Sequence, residues 1–241
     1  MAKYPLAASM INQINRIDVI SNNLANINTV GFKEEGTAEG SFNYYMQRAQ
    51  KDNFPPTKLN EVINTIPKMD SKYINEQIGP IVTTGNGLDF SLTQSDTFFK
   101  VRDAKTGDVV YTRDGSFKNL NGLLVDSNGQ TVLSNDNEAI AIEDGEDFHA
   151  QIGITRINFE DLQKYKDNNF KLKDENINVE VIDNNDGQFM QGSLEKSNVN
   201  SVSSMVALID AHRRLDQAQK AIQSESEMNE VLIQKVGDAS K

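Results

Sequence analysis

The sequence predicts an α+β protein whose N- and C-terminal helices pair as a coiled coil and flank a central, mainly antiparallel β domain. Apolar residues recur at helical spacing at both ends of the chain, whereas from Gly79 the apolar period is two. Asx-Gly pairs then separate short apolar runs, which is typical of turns between short strands. We therefore expect an N-terminal helix and turn (1–33), an irregular connector (34–78), a β domain (79–197) and a C-terminal helix (198–241).

The first segment predicts a helix from about Leu6 to Ile27. Its apolar residues recur at steps of three or four and form a candidate interface seam: Met10, Ile14, Ile17, Ile20, Leu24 and Ile27. The Asn-rich turn and Gly31 predict the end of this helix, because Asn and Gly tolerate the left-handed conformation of a C-terminal cap. The pattern leaves open whether the seam packs on the chain's own core or on another helix.

Residues 34–78 are polar and contain Pro55, Pro56 and Pro67, so they predict an irregular connector with a short helix around Gly40–Gln50.

From Leu88 the pattern predicts β structure. Residues 88–92 alternate as in a half-buried strand, and 98–102 with 109–113 predict a hairpin closed by the turn at Gly107. Three turns are predicted at Asp114-Gly115, Asn121-Gly122 and Asn128-Gly129.

Residues 138–197 continue as strands with loops, with apolar runs at 139–142, 152–159 and 179–182 and a polar turn or short helix at 162–165. Asp144, Glu146 and Asp147 cluster around Gly145, but they lack the ligand spacing and closing Glu of an EF-hand. We interpret them as a solvated acidic loop.

The last segment returns to a helical period. Its candidate seam comprises Leu208, Ala211, Leu215, Ala218, Ile222, Leu232 and Val236, with the polar Glu225 and Asn229 on the same lines. At 1.5 Å per residue this helix would span roughly 50 to 60 Å, which is too long for a small β domain to cover. Ser197-Asn198 predicts its N-cap and Gly237 its C-cap.

The net charge of −11 argues against nucleic-acid binding as the main task. The acidic residues concentrate in the middle of the chain: residues 1–33 carry +2, 198–241 carry −1, and 34–197 carry −12. Nearly neutral ends can pack against copies of themselves, although ordinary solubilising charge explains the composition equally well. No apolar run is long enough for a membrane span, and we find no secretory signal peptide. With no cysteine, the sequence predicts neither disulfides nor thiolate metal sites.

The sequence does not indicate an enzyme, and we expect no cofactor and no metal. His149 and His212 are the only imidazoles, and their polar surroundings favour a surface position for both. Nucleophile, phosphate-loop and paired-histidine motifs are missing from the sequence. A pair of carboxylates brought together by the fold stays open.

Several motifs carry a family resemblance. Asn22-Asn23-Leu24-Ala25-Asn26, followed by Thr29-x-Gly31-Phe32-Lys33, resembles the N-terminal signature of the bacterial flagellar rod and hook proteins. The resemblance continues in Thr84–Asp89, Phe98-Phe99-x-Val101, Tyr111–Phe117, Ser197–Asn200 and Met205-Val206. Gly87 and Gln94–Thr97 depart from the family pattern and affect only the local turns.

The resemblance implies a structural subunit that stacks with identical and other rod or hook proteins into a hollow helical drive shaft. It also implies export by the flagellar export apparatus without a cleaved signal, location in the periplasmic rod, and no membrane insertion. His212–Leu215 and Glu227–Asn229 resemble a proximal rod subunit. A distal rod or hook subunit, or a secreted β-rich binding module with helices paired within one monomer, are the alternatives.

Overall fold

The computed structural model describes residues 3–41, 67–142, 148–174, 176–182 and 189–239. The chain divides into two compact units. The helical unit comprises residues 1–24, 35–73 and 200–241, and the β unit comprises residues 25–34 and 74–199. The α+β class is confirmed, whereas the coiled-coil pairing of the terminal helices stays a prediction.

The helical unit contains α1 (Lys3–Ala25), α2 (Ser201–Ala239) and a two-stranded sheet of β1 (Glu35–Ser41) and β2 (Pro67–Ile74). The two strands lie at the ends of the stretch predicted as an irregular connector. This pairing joins segments far apart in sequence, so the local pattern did not reveal it. The predicted helix around Gly40–Gln50 lies outside the described residues apart from its first two positions, which belong to β1.

Both ends of α2 differ from the prediction. Asn200 caps the start of the helix, because its Oδ1 accepts hydrogen bonds from Val202 N and Ser203 N, both at 3.1 Å. Ser197-Asn198 is therefore not the N-cap, and the helix continues through Gly237 to Ala239. Among the described residues, no helix combines the length and apolar character needed to cross a membrane.

The β unit is built from short, mostly antiparallel strands. They are β3 (Ile81–Thr83), β4 (Phe90–Leu92), β5 (Thr97–Arg102), β6 (Val109–Thr112), β7 (Lys118–Leu120), β8 (Leu123–Val125), β9 (Thr131–Val132), β10 (Ile154–Arg156), β11 (Leu162–Lys164), β12 (Phe170–Leu172), β13 (Glu180–Ile182), β14 (Phe189–Gln191) and β15 (Ser193–Glu195).

The main sheet has the order β11-β12-β6-β5-β9-β8-β7, and β10 also pairs with β5 and carries β13 on its other edge. Small sheets form from β14 with β4 and from β15 with β3. The predicted hairpin is confirmed: β5 and β6 pair antiparallel with Phe99 opposite Thr112, and Gly107 adopts φ +76° in the turn.

Two apolar clusters hold this unit together. The larger is centred on Phe90, Phe99 and Phe117, and the smaller on Phe98, Phe159 and Phe170. Phe98 and Phe99 therefore serve different cores, because successive side chains of β5 point to opposite faces of the sheet.

Three local predictions in the β unit are wrong. Residues 162–164 form strand β11 rather than a turn or helix, because Leu162 is buried and the segment pairs with β12. The strand at Phe90–Leu92 is buried on both faces rather than half-buried, and Ser91 is completely buried. Asp114-Gly115 does not form the predicted turn; a Cβ at Gly115 would lie 1.8 Å from Phe90 O, so the glycine permits a close backbone approach.

Candidate functional site

The β unit buries a carboxylate, Glu195, between two cations. β15 places Glu195 opposite Ile81 of β3, and the residue is 1% exposed. Its Oε1 accepts hydrogen bonds from Lys33 Nζ and Gly79 N, both at 2.8 Å. Its Oε2 accepts one from Arg113 Nε at 2.7 Å, and Arg113 Nη2 makes an ion contact with the same oxygen at 2.7 Å. We call Lys33, Arg113 and Glu195 the buried ionic junction.

Arg113 follows β6 and is itself 1% exposed. Its Nη1 donates hydrogen bonds to three backbone carbonyls, those of Gln94, Ser95 and Thr97, at 2.9, 3.0 and 2.6 Å. Burial lowers the pKa of Arg113, and the neighbouring Glu195 carboxylate opposes that shift. A guanidinium is suited to this position because its planar fork can satisfy a carboxylate and several carbonyls at once.

Lys33 supplies the second cation. Its Nζ donates a hydrogen bond to Gln77 O at 2.6 Å as well as to Glu195. Burial and the nearby Arg113 charge lower the pKa of Lys33 from 10.5 to about 8, although Glu195 acts in the opposite direction. Lys33 is therefore the titratable member of the junction in the mildly alkaline range.

The contacts of Gly31 and Phe32 explain why a glycine and a phenylalanine precede Lys33 in this motif. Gly31 N donates a hydrogen bond to Glu195 O at 2.8 Å, and Gly31 adopts φ +66°. A Cβ at Gly31 would lie 2.4 Å from the backbone carbon of Arg113, so no larger residue fits. Phe32 is buried, and Lys164 Nζ lies 3.8 Å from the centroid of its ring. Gly31 thus differs from the prediction, because it seats the chain on the β unit and α1 has already ended at Ala25.

The C-terminal Ser-Asn-Val-Asn motif meets the same segment. Asn198 N donates a hydrogen bond to Phe32 O at 3.3 Å, and Asn198 Oδ1 accepts one from Glu34 N at 2.7 Å. Asn198 Nδ2 donates to the carbonyls of Asn75 and Gln77 at 3.0 and 2.9 Å. The two terminal motifs are therefore joined by one network inside the β unit.

The Asn-rich part of the first motif has a local role. Asn23 is buried, its Oδ1 accepts a hydrogen bond from Glu35 N at 2.9 Å, and its Nδ2 donates one to Glu35 O at 2.7 Å. Asn26 accepts from Thr29 through its backbone carbonyl and its side-chain oxygen, both at 3.1 Å. Asn22 and Ala25 are exposed. Amide side chains thus close the loop that follows α1.

On α2, one stripe of residues is covered within the chain, and we call it the covered stripe. It steps by four and three residues and comprises Ser204, Leu208, Ala211, Leu215, Ala218, Ile222, Glu225 and Asn229. Ser204, Ala211 and Ala218 are buried and the others are partly buried. The predicted residues from Leu208 to Ile222 all lie on it, whereas Leu232, the next position, is 59% exposed. The side chain of Val236 lies outside the described residues.

On α1, the predicted residues Met10, Ile17, Ile20 and Leu24 are partly buried, as is Ile27 just past the end of the helix. Ile14 is 43% exposed and departs from the seam. The buried residues of this helix include Gln13 and Val19, which the prediction missed. Val19 lies outside the chosen spacing, so the pattern held no signal for it.

A second set of apolar residues on α2 faces solvent. Val202, Met205, Val206 and Ile209 are spaced at three or four residues and are each more than half exposed. We call these four the exposed apolar face. Further along, Met228, Val231 and Ile233 are exposed as well. An exposed stripe of this kind on a long helix is typical of a surface that a partner covers.

The two histidines show no catalytic arrangement. His212 is exposed on α2. His149 is partly buried, its ring centroid lies 4.2 Å from that of Phe148, and its Nε2 lies 2.6 Å from Gln191 Nε2. In the part of the chain that the structure describes, no three His, Cys, Asp or Glu side chains are grouped to hold a metal ion. The acidic loop of Asp144, Glu146 and Asp147 lies outside that part.

Sequence reasoning missed Glu195 and the roles of Arg113 and Asn198. Glu195 is one of 35 acidic residues, and nothing in its neighbourhood distinguishes it. The available signal was a pair of cations, Lys33 and Arg113, inside the motifs that carry the family resemblance, since a buried cation requires an anionic partner.

Three stretches of the chain match known family models. Residues 7–33 match "Flagella basal body rod protein", 93–162 match "Flagellar hook protein FlgE/F/G D1 domain", and 190–235 match "Flagellar basal body rod FlgEFG protein C-terminal". The first and third contain parts of the two motifs that meet at Phe32 and Asn198, and the second contains Arg113.

Curated relatives match over nearly the whole chain. The flagellar basal-body rod protein FlgG of Borreliella burgdorferi is 31% identical, with 94% of this chain and 95% of the relative covered. FlgF of Caulobacter vibrioides is 29% identical, covering 92% and 91%. FlgG of Agrobacterium fabrum is 28% identical, covering 94% and 95%.

Proposed function

The chain belongs to the flagellar basal-body rod protein family, and from this premise we propose that its terminal helices assemble with identical and related subunits into the hollow helical shaft of the rod. The chain is a structural subunit of that rod in the flagellar basal body.

The observation that carries the proposal is the division of α2 into two apolar sides. The covered stripe, centred on Ala211 and Ala218, is already buried or partly buried within one chain. The exposed apolar face, from Val202 to Ile209, has no such cover among the described residues. A helix with one satisfied and one unsatisfied apolar side supports pairing within the subunit together with packing against neighbours.

Pairing of α1 with α2 is supported by their common unit. Residues 1–24 and 200–241 fall into the same compact unit, and each helix buries residues along one side. Small residues at Ser204, Ala211 and Ala218 permit a close approach of another helix, since helices carrying small side chains pack at short interaxial distances.

Charge supports the same arrangement. Residues 1–33 and 198–241 carry +2 and −1, so many copies of these segments can pack closely with little repulsion. Residues 34–197 carry −12, and such an acidic region is more stable where it faces water. Heterologous contacts repeated along a screw axis then produce an open tube.

Within the rod we propose a proximal position. His212–Leu215 and Glu227–Asn229 resemble that branch, and relatives named FlgF and FlgG both match the chain. A distal rod or hook subunit is the alternative. We also propose export through the flagellar export apparatus, for which the family resemblance is the support.

A secreted β-rich binding module with helices paired inside the monomer would explain the covered stripe equally well. It would not explain the exposed apolar face, because four solvent-facing apolar residues on one side of a helix do not stabilise a monomeric module.

The exposed apolar face supplies the test. Ile209→Asp should leave the circular dichroism and thermal unfolding of the dilute chain unchanged, because Ile209 is 60% exposed. It should abolish recovery of the subunit in purified basal bodies and abolish swimming of a strain carrying only the variant, since assembly would bury an unpaired carboxylate. Gln217→Asp, an equal charge change at an exposed position of the same helix, should assemble normally. Normal basal bodies containing Ile209→Asp would refute the proposed interface.

The covered stripe gives a second arm. Leu215→Asp on α2 and Ile17→Asp on α1 lie on the predicted pairing seam, and each should prevent assembly while the β unit stays folded. If Ile209→Asp and these two variants all assemble, the terminal helices do not build the rod.

A further inference from the structure

The β unit contains three buried side-chain oxygens without a hydrogen-bond donor among the described residues. They are Asp126 Oδ2, Asn168 Oδ1 and Asn169 Oδ1. Asp126 is 2% exposed and Asn169 is 1% exposed, so water does not readily satisfy them from outside. Buried acceptors left without any partner are rare, because each costs free energy comparable to a lost hydrogen bond.

These oxygens lie on two loops that contact each other. Asn128 Nδ2 donates a hydrogen bond to Asp167 O at 3.3 Å, and Asn169 Nδ2 donates one to Gln130 Oε1 at 2.7 Å. Asp126 Oδ1 is used inside its own loop, because it accepts hydrogen bonds from Asn128 N at 2.9 Å and Gln130 N at 2.7 Å. The second oxygen of this carboxylate therefore stays free for another ligand.

The orientation of the two amides follows from their nitrogens. Asn168 Nδ2 donates a hydrogen bond to Val30 O at 3.0 Å, and Asn169 Nδ2 donates to Gln130 Oε1. Turning the Asn168 amide round would place its oxygen against Val30 O, and turning the Asn169 amide round would place its oxygen against Gln130 Oε1 unless the Gln130 amide turned with it. In the orientation of this structure, both Oδ1 atoms are acceptors without a donor among the described residues.

The neighbourhood is also negatively charged. The carboxylates of Asp114 and Asp167 lie close enough to Asp126 to interact with its charge. Asp114 is already engaged, because its Oδ2 accepts a hydrogen bond from Ser127 Oγ at 2.6 Å. The Asp167 side chain is exposed to solvent. A cation at this place would offset several carboxylate charges at once.

A water molecule or a proton fits this set less well. One water molecule donates two hydrogen bonds and a proton on Asp126 supplies a single donor, so either one alone would leave at least one of the three oxygens without a partner. A hard cation accepts any number of oxygen ligands up to its coordination number, and carboxylate and amide oxygens are the ligands of Ca²⁺. Amide carbonyls favour Ca²⁺ over Mg²⁺, which keeps most of its waters.

We propose that Asp126, Asn168 and Asn169 form a Ca²⁺ site in the β unit, with Asp167 completing it from the solvent side. The hydrogen bond from Asn168 to Val30 O places this site next to the segment that seats Gly31, Phe32 and Lys33. Bound Ca²⁺ would therefore stabilise the loop that anchors the N-terminal motif. This inference is independent of rod assembly.

Thermal unfolding of the full chain, after treatment with EDTA, tests the site with CaCl₂ or MgCl₂ as the probe. At ten times the dissociation constant, Ca²⁺ should raise the Tm by roughly 3 to 6 °C, and Mg²⁺ should raise it less. Titration calorimetry with Ca²⁺ alone should give one binding event per chain. Absence of a Ca²⁺-dependent shift up to about 10 mM would overturn the proposal, because that concentration exceeds the dissociation constants of weak extracellular sites.

Asp126→Asn separates a cation site from a structural role. The amide keeps an oxygen for Asn128 N and Gln130 N, so the variant should fold, and without Ca²⁺ its Tm should equal or exceed that of the wild type because a buried charge is gone. It should lose the Ca²⁺ response. Glu138→Gln, at an exposed position of another turn in the β unit, should keep it. A Ca²⁺ response that persists in Asp126→Asn would refute the assignment.

Discussion

Lys33 and Glu195 are separated by 162 positions in the sequence, and their side chains form a buried ion pair at 2.8 Å. Lys33 ends the N-terminal motif, and Glu195 ends the last strand before the C-terminal motif. The pair is completed by Arg113 from the middle of the chain. One carboxylate thus connects three distant parts of the sequence within the β unit, and its removal should destabilise all three.

Replacing the carboxylate is the most direct test of the junction. Glu195→Gln would leave Lys33 and Arg113 buried without an anion, and breaking a buried pair in this way costs about 3 to 5 kcal/mol of the free energy of unfolding. Urea denaturation followed by near-ultraviolet circular dichroism measures this loss. Glu180→Gln is the matched control, because Glu180 is 65% exposed beside Arg156 and such surface pairs contribute about 1 kcal/mol or less. Equal losses in both variants would mean that the junction is energetically unimportant.

The lowered pKa of Lys33 predicts a pH dependence with a definite sign. Between about 8 and 10.5 the folded chain has released the Lys33 proton while the unfolded chain still holds it, so the free energy of unfolding rises with pH through this window. The gap between the two pKa values corresponds to a gain of up to about 3 kcal/mol. Below pH 8 both states are protonated and Lys33 gives no slope.

Lys33→Met isolates this contribution, because every other titrating group is shared with the wild type. The difference in unfolding free energy between wild type and variant should therefore grow in favour of the wild type from pH 8 to 10.5. The variant should also lose less stability at pH 7 than Glu195→Gln, since Glu195 keeps Arg113 and Gly79 N as partners. A difference that is flat with pH would show that Lys33 titrates normally.

Gly31 can be compared with Gly122, a second glycine whose φ angle is positive. Gly31→Ala combines φ +66° with a Cβ 2.4 Å from the Arg113 backbone, so it should lower the free energy of unfolding by about 3 kcal/mol or more. Gly122→Ala has φ +83° and open space around the added carbon, so it should lose only about 1 to 2 kcal/mol. The urea midpoints of the two variants give the comparison. Similar midpoints would mean that the backbone around Gly31 shifts to accommodate the added carbon.

The sequence predicted those features that repeat along the chain. The helical periods around Leu208 and Leu215, the hairpin at Gly107 and the alternation of strands are local patterns, and the structure contains them. The pairing of β1 with β2 was missed because the two strands are far apart in sequence. Strand β11 was missed although its partner β12 follows closely, because Leu162 is the only apolar residue of the strand and no alternation marks it.

The junction lies beyond such patterns for the same reason. Gly31, Phe32 and Lys33 were identified as a motif, but their contacts depend on Arg113 and Glu195, which the fold alone brings to them. The covered stripe shows the opposite case: Ala211 and Ala218 lie where heptad spacing placed them. Ile14 and Leu232 follow the same spacing but are exposed. The spacing predicts which side of a helix is apolar, but it does not predict how much of that side other residues bury.

Amide hydrogen exchange on the dilute chain should divide α2 into two parts. Residues 204–222 carry the buried part of the covered stripe and should exchange slowly, although faster than the β unit with its two apolar clusters. Residues 226–235 expose Met228, Val231, Leu232 and Ile233, and a helix without packing is marginal in water, so this part should exchange at rates near those of an unfolded peptide.

Assembled rods should then protect residues 226–235 together with the exposed apolar face, because neighbouring subunits would cover them. If instead the dilute chain already protects α2 uniformly from residue 204 to residue 235, its C-terminal part is held within the monomer. Stability of this part of α2 would then not depend on neighbouring subunits, and the result would favour the binding-module alternative over rod assembly through α2.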